Sequence, residues 1–478
     1  MSTHPRSPRV RPDWLSPVLG VLVVIAAGVI IGLQYVSPDK RMLAVIGAGI
    51  VLGIAWRLDL VSAIGLLVLA LPYPREVVFG STNLAMVMLL LIIWLLRVNT
   101  GSGAPPRRSR LDVPIIGLVI AYIISFYSIT RAEHIGPALS NTYTLLACVA
   151  IYYLIVNNVR TSNDLARIHR FQIASILSIC LLGLYEIVNP GGVVIPGWIY
   201  FRNVAPGATL MHNIRIGGPF FDFEQFSDWS ALTLLFVGFL IVRSTSTTRR
   251  LLATGLGLLV AFMLFATVTR GAIIALMLGV VYLAWLSRTR LNFISVVSGA
   301  ALILAIILGM NYFVSNYTHS GDMLGRLLDP QTFEVRDGLP EGRAVIWEQA
   351  FERMMQHPII GHGPFYALQR GTTFWYWPHN LYLYLGNLVG IVGLTFFVMI
   401  LVMLFRALRP VPGDLSRMSH AQAYLLFARV QLVVFAIDQT KIEYLRNPMY
   451  PYLVWAMFGL MVAASQIAEE ERRGAVPA

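Results

Sequence analysis

The sequence predicts an all-α polytopic membrane protein with about 12–14 transmembrane helices. Its 478 residues are 57% hydrophobic and only 13% charged, whereas soluble domains carry about 25% charged residues. Most hydrophobic residues occur in runs close to the roughly 20 residues that a helix needs to cross a bilayer. The polar residues collect in short connections between these runs and in two long ones. This composition excludes an ordinary soluble domain.

Fourteen apolar segments are candidate membrane-spanning helices. The second to fourth are short, which is consistent with tilted helices or with two re-entrant segments. The first follows a basic, proline-rich start without a small-residue cleavage site, so we expect a retained anchor and not a signal peptide. In chain order the segments are approximately 15–36, 42–56, 60–73, 83–96, 113–129, 143–156, 171–188, 226–242, 251–268, 272–285, 293–314, 381–404, 421–437 and 452–467.

The distribution of lysine and arginine predicts the orientation. With the N-terminus inside, the inner segments hold 21 of these residues and the short outer segments hold 7, which satisfies the positive-inside rule. Both long connections then lie outside. The predicted organisation is an inner tail at 1–14, helices at 15–188, a first outer loop at 189–225, helices at 226–314, a large outer loop at 315–380, helices at 381–467 and an inner tail at 468–478.

Several functional classes are disfavoured by the sequence. The net charge is +12, but the basic residues are scattered among short loops, so no nucleic-acid partner is expected. Cys148 and Cys180 lie in apolar runs and are interpreted as small buried hydrophobic side chains. His357 and His362 flank a glycine turn and have no third ligand at a metal-like spacing. We therefore expect neither a metal nor a cofactor.

Three arginines stand out by their position. Arg270, in Thr-Val-Thr-Arg-Gly, lies between two predicted helices at the outer membrane edge, either as a snorkelling side chain or as a functional cation. Arg343 lies in the first turn of a helix that Pro358 ends, where its charge opposes the helix dipole. A bound anion beside Arg343 would remove this conflict. Arg429 falls in the middle of a span and needs a partner that the sequence does not identify.

The helix predicted after Arg343 is amphipathic, because its apolar residues recur at spacings of three and four. This pattern is typical of an interfacial helix that lies on the bilayer. Its apolar face is expected to hold Ala344, Trp347, Phe351, Met354 and Met355, and its wet face Glu348, Glu352 and Arg353.

The large outer loop ends in Trp375-Tyr376-Trp377-Pro378-His379-Asn380. Aromatic residues at this depth are typical of a membrane-interface belt, and they are also the side chains that stack on sugar rings. Pro378 presets the turn before the next helix. A single interfacial histidine is commonly structural, but two arginines on the same face favour a functional His379.

The first outer loop ends with Arg215, followed by a group of polar residues that enters the next helix. These carboxylates either pair with nearby arginines or line a polar groove that leads to the site. The group consists of Asp222, Glu224, Gln225 and Asp228. Substrate binding is assigned to Arg215, Trp347, Tyr376, Trp377 and Asn380.

Arg270, Arg343 and His379 are predicted to lie together on the outer membrane face. Two guanidinium groups suit a diphosphate, because they bind phosphate oxygens in bidentate forks and stay charged. A diphosphate at the membrane edge indicates a polyprenyl-linked sugar. The arginines would then stabilise the leaving diphosphate and the imidazole would activate an acceptor hydroxyl, so that transfer proceeds without a metal.

Five short motifs around the large loop resemble the O-antigen ligase and polysaccharide polymerase superfamily. The resemblance covers roughly 215–457, and it depends on the order of the motifs, since each is weakly specific alone. They are Gly-Pro-Phe-Phe at 218–221, Thr-Val-Thr-Arg-Gly at 267–271, Gly-Arg-Ala-Val-Ile-Trp at 342–347, His-Pro-Ile-Ile-Gly-His-Gly at 357–363 and Pro-His-Asn-Leu-Tyr-Leu at 378–383.

The resemblance implies a metal-independent, inverting glycosyltransferase of the GT-C type at the periplasmic face of a bacterial inner membrane. Its donor would be an undecaprenyl-diphosphate-linked glycan, and its acceptor another glycan or a lipid A-core. The family's two arginines match Arg270 and Arg343 and are expected to hold the diphosphate. Its histidine matches His379 and is expected to activate or orient the acceptor hydroxyl. The sequence departs from the family at 221–224, where Phe-Asp-Phe-Glu replaces a more usual Asp/Asn-rich segment.

Ligase-like glycan transfer is thus the predicted function, with two alternatives. A polymerase that joins lipid-linked repeat units would carry the same motifs. A transporter or flippase for the same lipid would have polar residues throughout its mid-membrane positions and two pseudo-symmetric halves. The sequence shows one strong mid-span charge, Arg429, and no such halves. A purely structural scaffold is disfavoured by the arginines and aromatic residues of the large loop.

Overall fold

The computed structural model describes residues 59–73, 82–188, 193–195, 199–200, 215–220, 222–267, 269–287, 308–309, 311–312, 315–316, 324–325, 343–366, 377–411, 415, 417–446 and 449–474. These residues form twelve α-helices and one short antiparallel hairpin. The helices are α1 Leu60–Ala70, α2 Thr82–Asn99, α3 Asp112–Ser125, α4 Ile135–Asn158, α5 Ser162–Val188, α6 Phe223–Arg243, α7 Thr247–Ala266, α8 Arg270–Ser287, α9 Arg343–Gln356, α10 Leu381–Ala407, α11 His420–Asp438 and α12 Tyr450–Arg472, and the hairpin pairs β1 Val193–Ile195 with β2 Ile199–Tyr200.

Eight of the described helices are long and apolar enough to cross a membrane, namely α4–α8 and α10–α12. Helices suit this solvent because they satisfy every backbone polar group within one segment. The predicted all-α polytopic membrane fold is therefore confirmed. The predicted spans at 15–36 and 42–56 and most of 293–314 lie outside the described residues, so the total number of spans stays a prediction.

α6 and α12 lie at the centre of the bundle, whereas α7 and α8 expose much of their surface. Close contact between α12 and α4 depends on Gly459, because a Cβ atom there would lie 3.1 Å from the Cβ of Ile155. Small residues allow membrane helices to approach closely in this way. The core also contains fully buried aromatic side chains, including Trp455, Tyr152 and Phe236.

Ion pairs define one end of the bundle, which we call the arginine-rich end. Arg107 lies 3.1 Å from Glu470, and Arg110 lies 2.8 Å from Glu469 near the end of α12. The hydroxyl of Ser162 donates a 2.7 Å hydrogen bond to Glu471. These contacts join the starts of α3 and α5 to the end of α12. The start of α12 therefore lies at the other end, which we call the site end. The starts of α6 and α10 lie there too, because the Tyr450 hydroxyl donates to Asp228 of α6, and Gln439 contacts both Asp228 and Leu381 of α10.

Arg429 in α11 has three partners. Its Nε donates to the hydroxyl of Tyr282 at 2.9 Å, and its Nη1 donates to the backbone carbonyl of Leu408 at 3.2 Å. Its guanidinium carbon lies 3.9 Å from the ring centroid of Phe405. The predicted need for a partner is confirmed, and these contacts give Arg429 a role in packing.

α10 is interrupted at Gly390, which has φ 65° and ψ −173°. The break frees backbone groups, and the segment after α9 satisfies them. The backbone N–H of Ile391 donates to the carbonyl of Pro358 at 2.8 Å, and the N–H of His362 donates to the carbonyl of Asn387 at 2.8 Å. Irregular backbone inside a span needs internal partners of this kind. The break therefore holds the segment after α9 against α10.

One prediction about α9 is wrong. Arg353, expected on the wet face, is buried together with Ile346 and Ala350, whereas Phe351 and Met355 are exposed. The reason is that α9 packs against α10 through the Ala350 turn, and the Arg353 guanidinium carbon lies 4.6 Å from the ring centroid of Tyr366. The exposed apolar residues agree with an interfacial helix.

Candidate active site

The site is organised around Glu224 in the first turn of α6. Asp222 caps this helix, and its Oδ1 accepts hydrogen bonds from the backbone N–H groups of Glu224 at 2.9 Å and Gln225 at 3.2 Å. The Glu224 side chain is only 9% exposed. A carboxylate is electrostatically favoured at a helix N-terminus, so the local fold places a buried negative charge at the site end.

Three basic side chains from distant parts of the chain converge on this carboxylate. His379 Nδ1 donates to Glu224 Oε2 at 3.0 Å, and Arg446 Nη2 donates to the same oxygen at 3.0 Å. Arg343 Nη2 lies 3.4 Å from Glu224 Oε1. The anion expected beside Arg343 is therefore supplied by the chain itself. The structure brings two of the three predicted catalytic residues, Arg343 and His379, to one point.

Arg446 links Glu224 to two further carboxylates. Its Nη2 pairs with Asp222, and its Nη1 lies 3.4 Å from Glu443 Oε1. Burial would lower the pKa of Arg446, but Glu443, Asp222 and Glu224 together raise it, so this side chain stays a cation. Burial raises the pKa of Glu443 to about 7, although Arg446 and His379 oppose the shift. Glu443 therefore titrates near neutral pH inside the cluster.

His379 is held in an unusual conformation. Its φ of 45° lies in the left-handed region, which non-glycine residues adopt rarely and mainly at functional sites. After it, Asn380 caps α10 through Oδ1, and the backbone N–H of Leu381 donates to the carbonyl of Gln439 at 2.9 Å. Burial would lower the pKa of His379, but the hydrogen bond and charge of Glu224 raise it. The imidazole is thus oriented and made more basic.

Arg270 starts α8 at the same end of the bundle, as predicted from the turn after α7. Its neighbour Gly271 lies against the side chain of Lys441, which pairs with Asp438. Arg270 is therefore adjacent to the segment that joins α11 to Arg446. No described hydrogen bond or ion pair joins Arg270 to Glu224, so its convergence on the site stays a prediction.

Asp228 lies one turn after Glu224 and is the centre of a buried hydrogen-bond network next to the site. Its Oδ2 accepts hydrogen bonds from the Tyr450 hydroxyl at 2.7 Å and from Gln439 Nε2 at 3.0 Å. Of the two roles considered for the polar residues of this segment, pairing with arginine describes Asp222 and Glu224. Asp228 instead connects α6 to the segments on either side of Arg446.

Arg215 is also carried to the site end. Its guanidinium carbon lies 4.5 Å from the ring centroid of Phe223, the residue before Glu224. The segment is anchored by Glu186, which accepts a 2.7 Å hydrogen bond from the backbone N–H of Gly218. This position is compatible with the predicted substrate-binding role.

The other residues predicted to bind substrate differ in the groups that they contact. Trp377 is packed against Tyr366 and Tyr384, with ring centroids 5.5 Å and 5.9 Å away. The buried indole N–H of Trp347 has no hydrogen-bond acceptor among the described residues. The side-chain oxygen of Asn380 is used in capping α10. Tyr376 lies outside the described residues. The packing of Trp377 and the capping by Asn380 are structural roles, whereas substrate binding by these residues stays a prediction.

Sequence reasoning did not single out Arg446 and Glu443 as site residues. Arg446 was counted only as one of the outer arginines. A signal was present, because Glu443 and Arg446 are three residues apart in a short connection that also holds Lys441. That spacing predicts an ion pair between Glu443 and Arg446, but it does not indicate that α6 brings Glu224 to the same arginine.

A family model described as O-antigen ligase matches residues 255–398. The matched segment includes Arg270, Arg343 and His379, but it excludes Glu224 and Arg446. No curated protein matches the sequence. The matched part of the chain therefore supplies two groups of the cluster, Arg343 and His379, and α6 outside it supplies the carboxylate that joins them.

Proposed function

We propose that this chain, which is related through residues 255–398 to the O-antigen ligase family, is a membrane glycosyltransferase. It would transfer a glycan from undecaprenyl diphosphate to an acceptor hydroxyl at the site end, facing the periplasm. The observation that carries the proposal is the convergence of Arg343 and His379 on Glu224, within 3.4 Å and 3.0 Å of its oxygens. This arrangement combines a phosphate-binding cation with an oriented base.

Arg343 is the group proposed to bind the donor diphosphate. Its side chain is 49% exposed, and its 3.4 Å contact with Glu224 is longer than the 3.0 Å contacts that His379 and Arg446 make with the same carboxylate, so it has room to engage a ligand. A guanidinium binds phosphate oxygens in a planar fork. Arg270 is assigned the second phosphate contact. Together they would stabilise the negative charge that develops on the departing diphosphate, and the proposal assigns this role to no metal.

His379 is proposed to act as the general base. With Nδ1–H donated to Glu224, its Nε2 is the nitrogen that accepts the proton of the acceptor hydroxyl. The hydroxyl oxygen forms a bond to the anomeric carbon as the bond from that carbon to the diphosphate oxygen breaks. The electron pair leaves on undecaprenyl diphosphate. Attack opposite the leaving group inverts the anomeric configuration.

Glu224 and Arg446 are proposed to position His379. The Glu224 carboxylate stabilises the imidazolium that forms when the proton is accepted, while Arg446 holds that carboxylate through a 3.0 Å contact. Because Arg446 also pairs with Asp222 and Glu443, the position of Glu224 depends on the whole cluster. This is the reason that α6 and the segment before α12 belong to the proposed site.

The test is release of undecaprenyl diphosphate by the purified protein in detergent, with a lipid-linked glycan as donor and a glycan acceptor. We expect His379→Ala and Arg343→Ala each to abolish release, and Arg249→Ala at the arginine-rich end to retain it. Detergent removes membrane compartments, so a transporter would give no release. Full activity in either site variant, with the fold intact, would contradict the proposal.

A polymerase is the second candidate, because the same chemistry serves when the acceptor is another undecaprenyl-diphosphate-linked glycan. Mass analysis of the glycans in a deletion strain separates the two. Loss of a ligase leaves long lipid-linked chains, whereas loss of a polymerase leaves single repeat units.

A further inference from the structure

A second group of basic side chains lines a cavity of about 200 Å³ at the site end. It lies between the turn that follows α3 and the segment that follows α9. We call it the basic cavity and define it by Arg131, His134, Arg353, His357 and His362. None of these residues belongs to the Glu224 cluster.

The fold builds this cavity with defined contacts. His362 Nε2 donates to the backbone carbonyl of Arg353 at 2.7 Å, and the rings of His357 and His362 are 4.5 Å apart. Gly361 and Gly363 have φ of 73° and 109°, which allows the chain to turn back and carry His362 and Phe365 to the cavity wall. The side chains of Arg353, His357 and His362 are therefore held against the same small cavity.

None of the described residues that line the cavity is acidic, and the exposed Glu133 lies beside it. Glu133 lies 3.6 Å from Arg131 and 3.7 Å from His134. Burial lowers the pKa of His362, and it also lowers the pKa of Arg353, so charging these groups carries a desolvation cost. A bound anion would offset that cost, because an opposite charge stabilises the cationic forms.

The cavity adjoins an apolar surface that faces outward. α3 and the turn that follows it expose an apolar stripe at helical spacing that ends at Tyr127, directly before the cavity residue Ser128. Phe351, Met355 and Ile359 are also exposed, on α9 and in the segment that follows it. In a membrane protein, exposed apolar side chains at the end of a span face lipid chains. The stripe consists of Val113, Ile116, Ile120, Ile123 and Tyr127.

We propose that the basic cavity binds the phosphate headgroup of a membrane lipid whose acyl chains lie along the α3 stripe. The cavity is smaller than the roughly 300–1,000 Å³ of typical ligand pockets, so it accommodates a single anionic group better than an oligosaccharide. Basic side chains beside an apolar membrane surface are the usual recognition elements for anionic lipids.

This lipid site is distinct from the Glu224 cluster. The cavity segment binds α10 at Asn387 and Leu388, about 10 Å along the helix axis from its first turn beside His379. On the cavity side, Arg353 contacts Tyr366, which stacks with Trp377 and Tyr384. The lipid proposal does not depend on the glycosyltransferase proposal, and its readout is binding instead of turnover.

The experiment is native mass spectrometry of the purified full chain titrated with dioleoyl phosphatidic acid. Dioleoylglycerol, which lacks the phosphate, and inorganic phosphate, which lacks the chains, are the comparison probes. We expect retention of phosphatidic acid and a loss of about tenfold in its affinity in the double variant Arg131→Gln, His357→Gln, since each basic group contributes to anionic-lipid binding. Both residues are exposed, so this variant is expected to fold.

Arg249→Gln at the arginine-rich end is the matched control and should bind as the unmodified chain does. Arg353→Gln provides a second variant, with its thermal unfolding measured in parallel because Arg353 is buried. Unchanged phosphatidic acid binding in the double variant overturns the site. Equal binding of dioleoylglycerol overturns the phosphate assignment, and equally tight binding of inorganic phosphate overturns the lipid assignment.

Discussion

Replacing Glu224 by glutamine tests how the cluster acts on His379. The substitution removes one negative charge and leaves an amide oxygen that still accepts a neutral hydrogen bond from Nδ1. Hydrogen bonds to charged groups contribute about 1.5–3 kcal/mol, against about 0.5–1.5 kcal/mol for neutral ones. The difference of about 1–1.5 kcal/mol predicts a decrease of roughly tenfold in kcat/KM. The contribution from Arg343 should be small, because its side chain is 49% exposed.

The pH profile separates this effect from general damage. Glu224 raises the pKa of His379, so the variant should have a lower His379 pKa. The base must be neutral to accept a proton, and activity therefore rises as pH increases through that pKa. The acid limb of kcat/KM should move to lower pH in Glu224→Gln. Transfer from a lipid-linked glycan, measured in detergent from pH 5 to 9, gives both quantities.

Glu348→Gln is the matched control, since Glu348 is an exposed glutamate on α9. We expect its rate and pH profile to match those of the unmodified chain. A Glu224→Gln variant with the unmodified rate and an unmoved acid limb would refute the assignment of Glu224 as the positioning residue.

Three further predictions concern stability, measured by thermal unfolding in detergent. The pKa of Glu443 is raised from 4.5 to about 7 by burial, so the folded state binds more protons in this window and stability should fall by about 3 kcal/mol as pH rises through it. Glu443→Gln should remove this part of the slope and leave only the smaller part from His379, whose pKa is also raised; a slope equal to that of the unmodified chain would contradict the prediction. Gly390→Ala should cost more than about 2 kcal/mol, because φ is positive and the new Cβ meets the Ile359 carbonyl, while Gly255→Ala, with open space around it, should be neutral or stabilising. Tyr282→Phe should cost about 1–3 kcal/mol, because it leaves the Arg429 Nε without its acceptor; no loss would show that this hydrogen bond is dispensable.

The helices were predictable because an apolar run that crosses the bilayer must pair its own backbone N–H and C=O groups, and a helix of about 20 residues does both. The prediction at 381–404 matched α10 in extent, but it missed the break at Gly390. That break is stabilised by carbonyls of Pro358 and Ile359, which are tertiary contacts that hydropathy does not contain. The prediction that Arg353 lies on the wet face of α9 was wrong for a related reason. The spacing of apolar residues defines an apolar face of the helix, but it does not indicate which edge of that face packs against α10.

The site was only partly predictable. Arg343 and His379 were found from charge at a helix start and from a proline turn before a span. Their connection through Glu224 was not, because Glu224 is separated by 119 residues of chain from Arg343, by 155 from His379 and by 222 from Arg446. A buried carboxylate near several arginines is visible in sequence only as one charge at the edge of a span.

The most direct test of the proposed active site is a structure of the purified protein with undecaprenyl diphosphate bound. We predict that the phosphate oxygens lie within hydrogen-bond distance of Arg343 and Arg270, with His379 Nε2 facing the space where the sugar would be attached. Binding of the diphosphate at the arginine-rich end, or at the site end without contact to Arg343, would contradict the account.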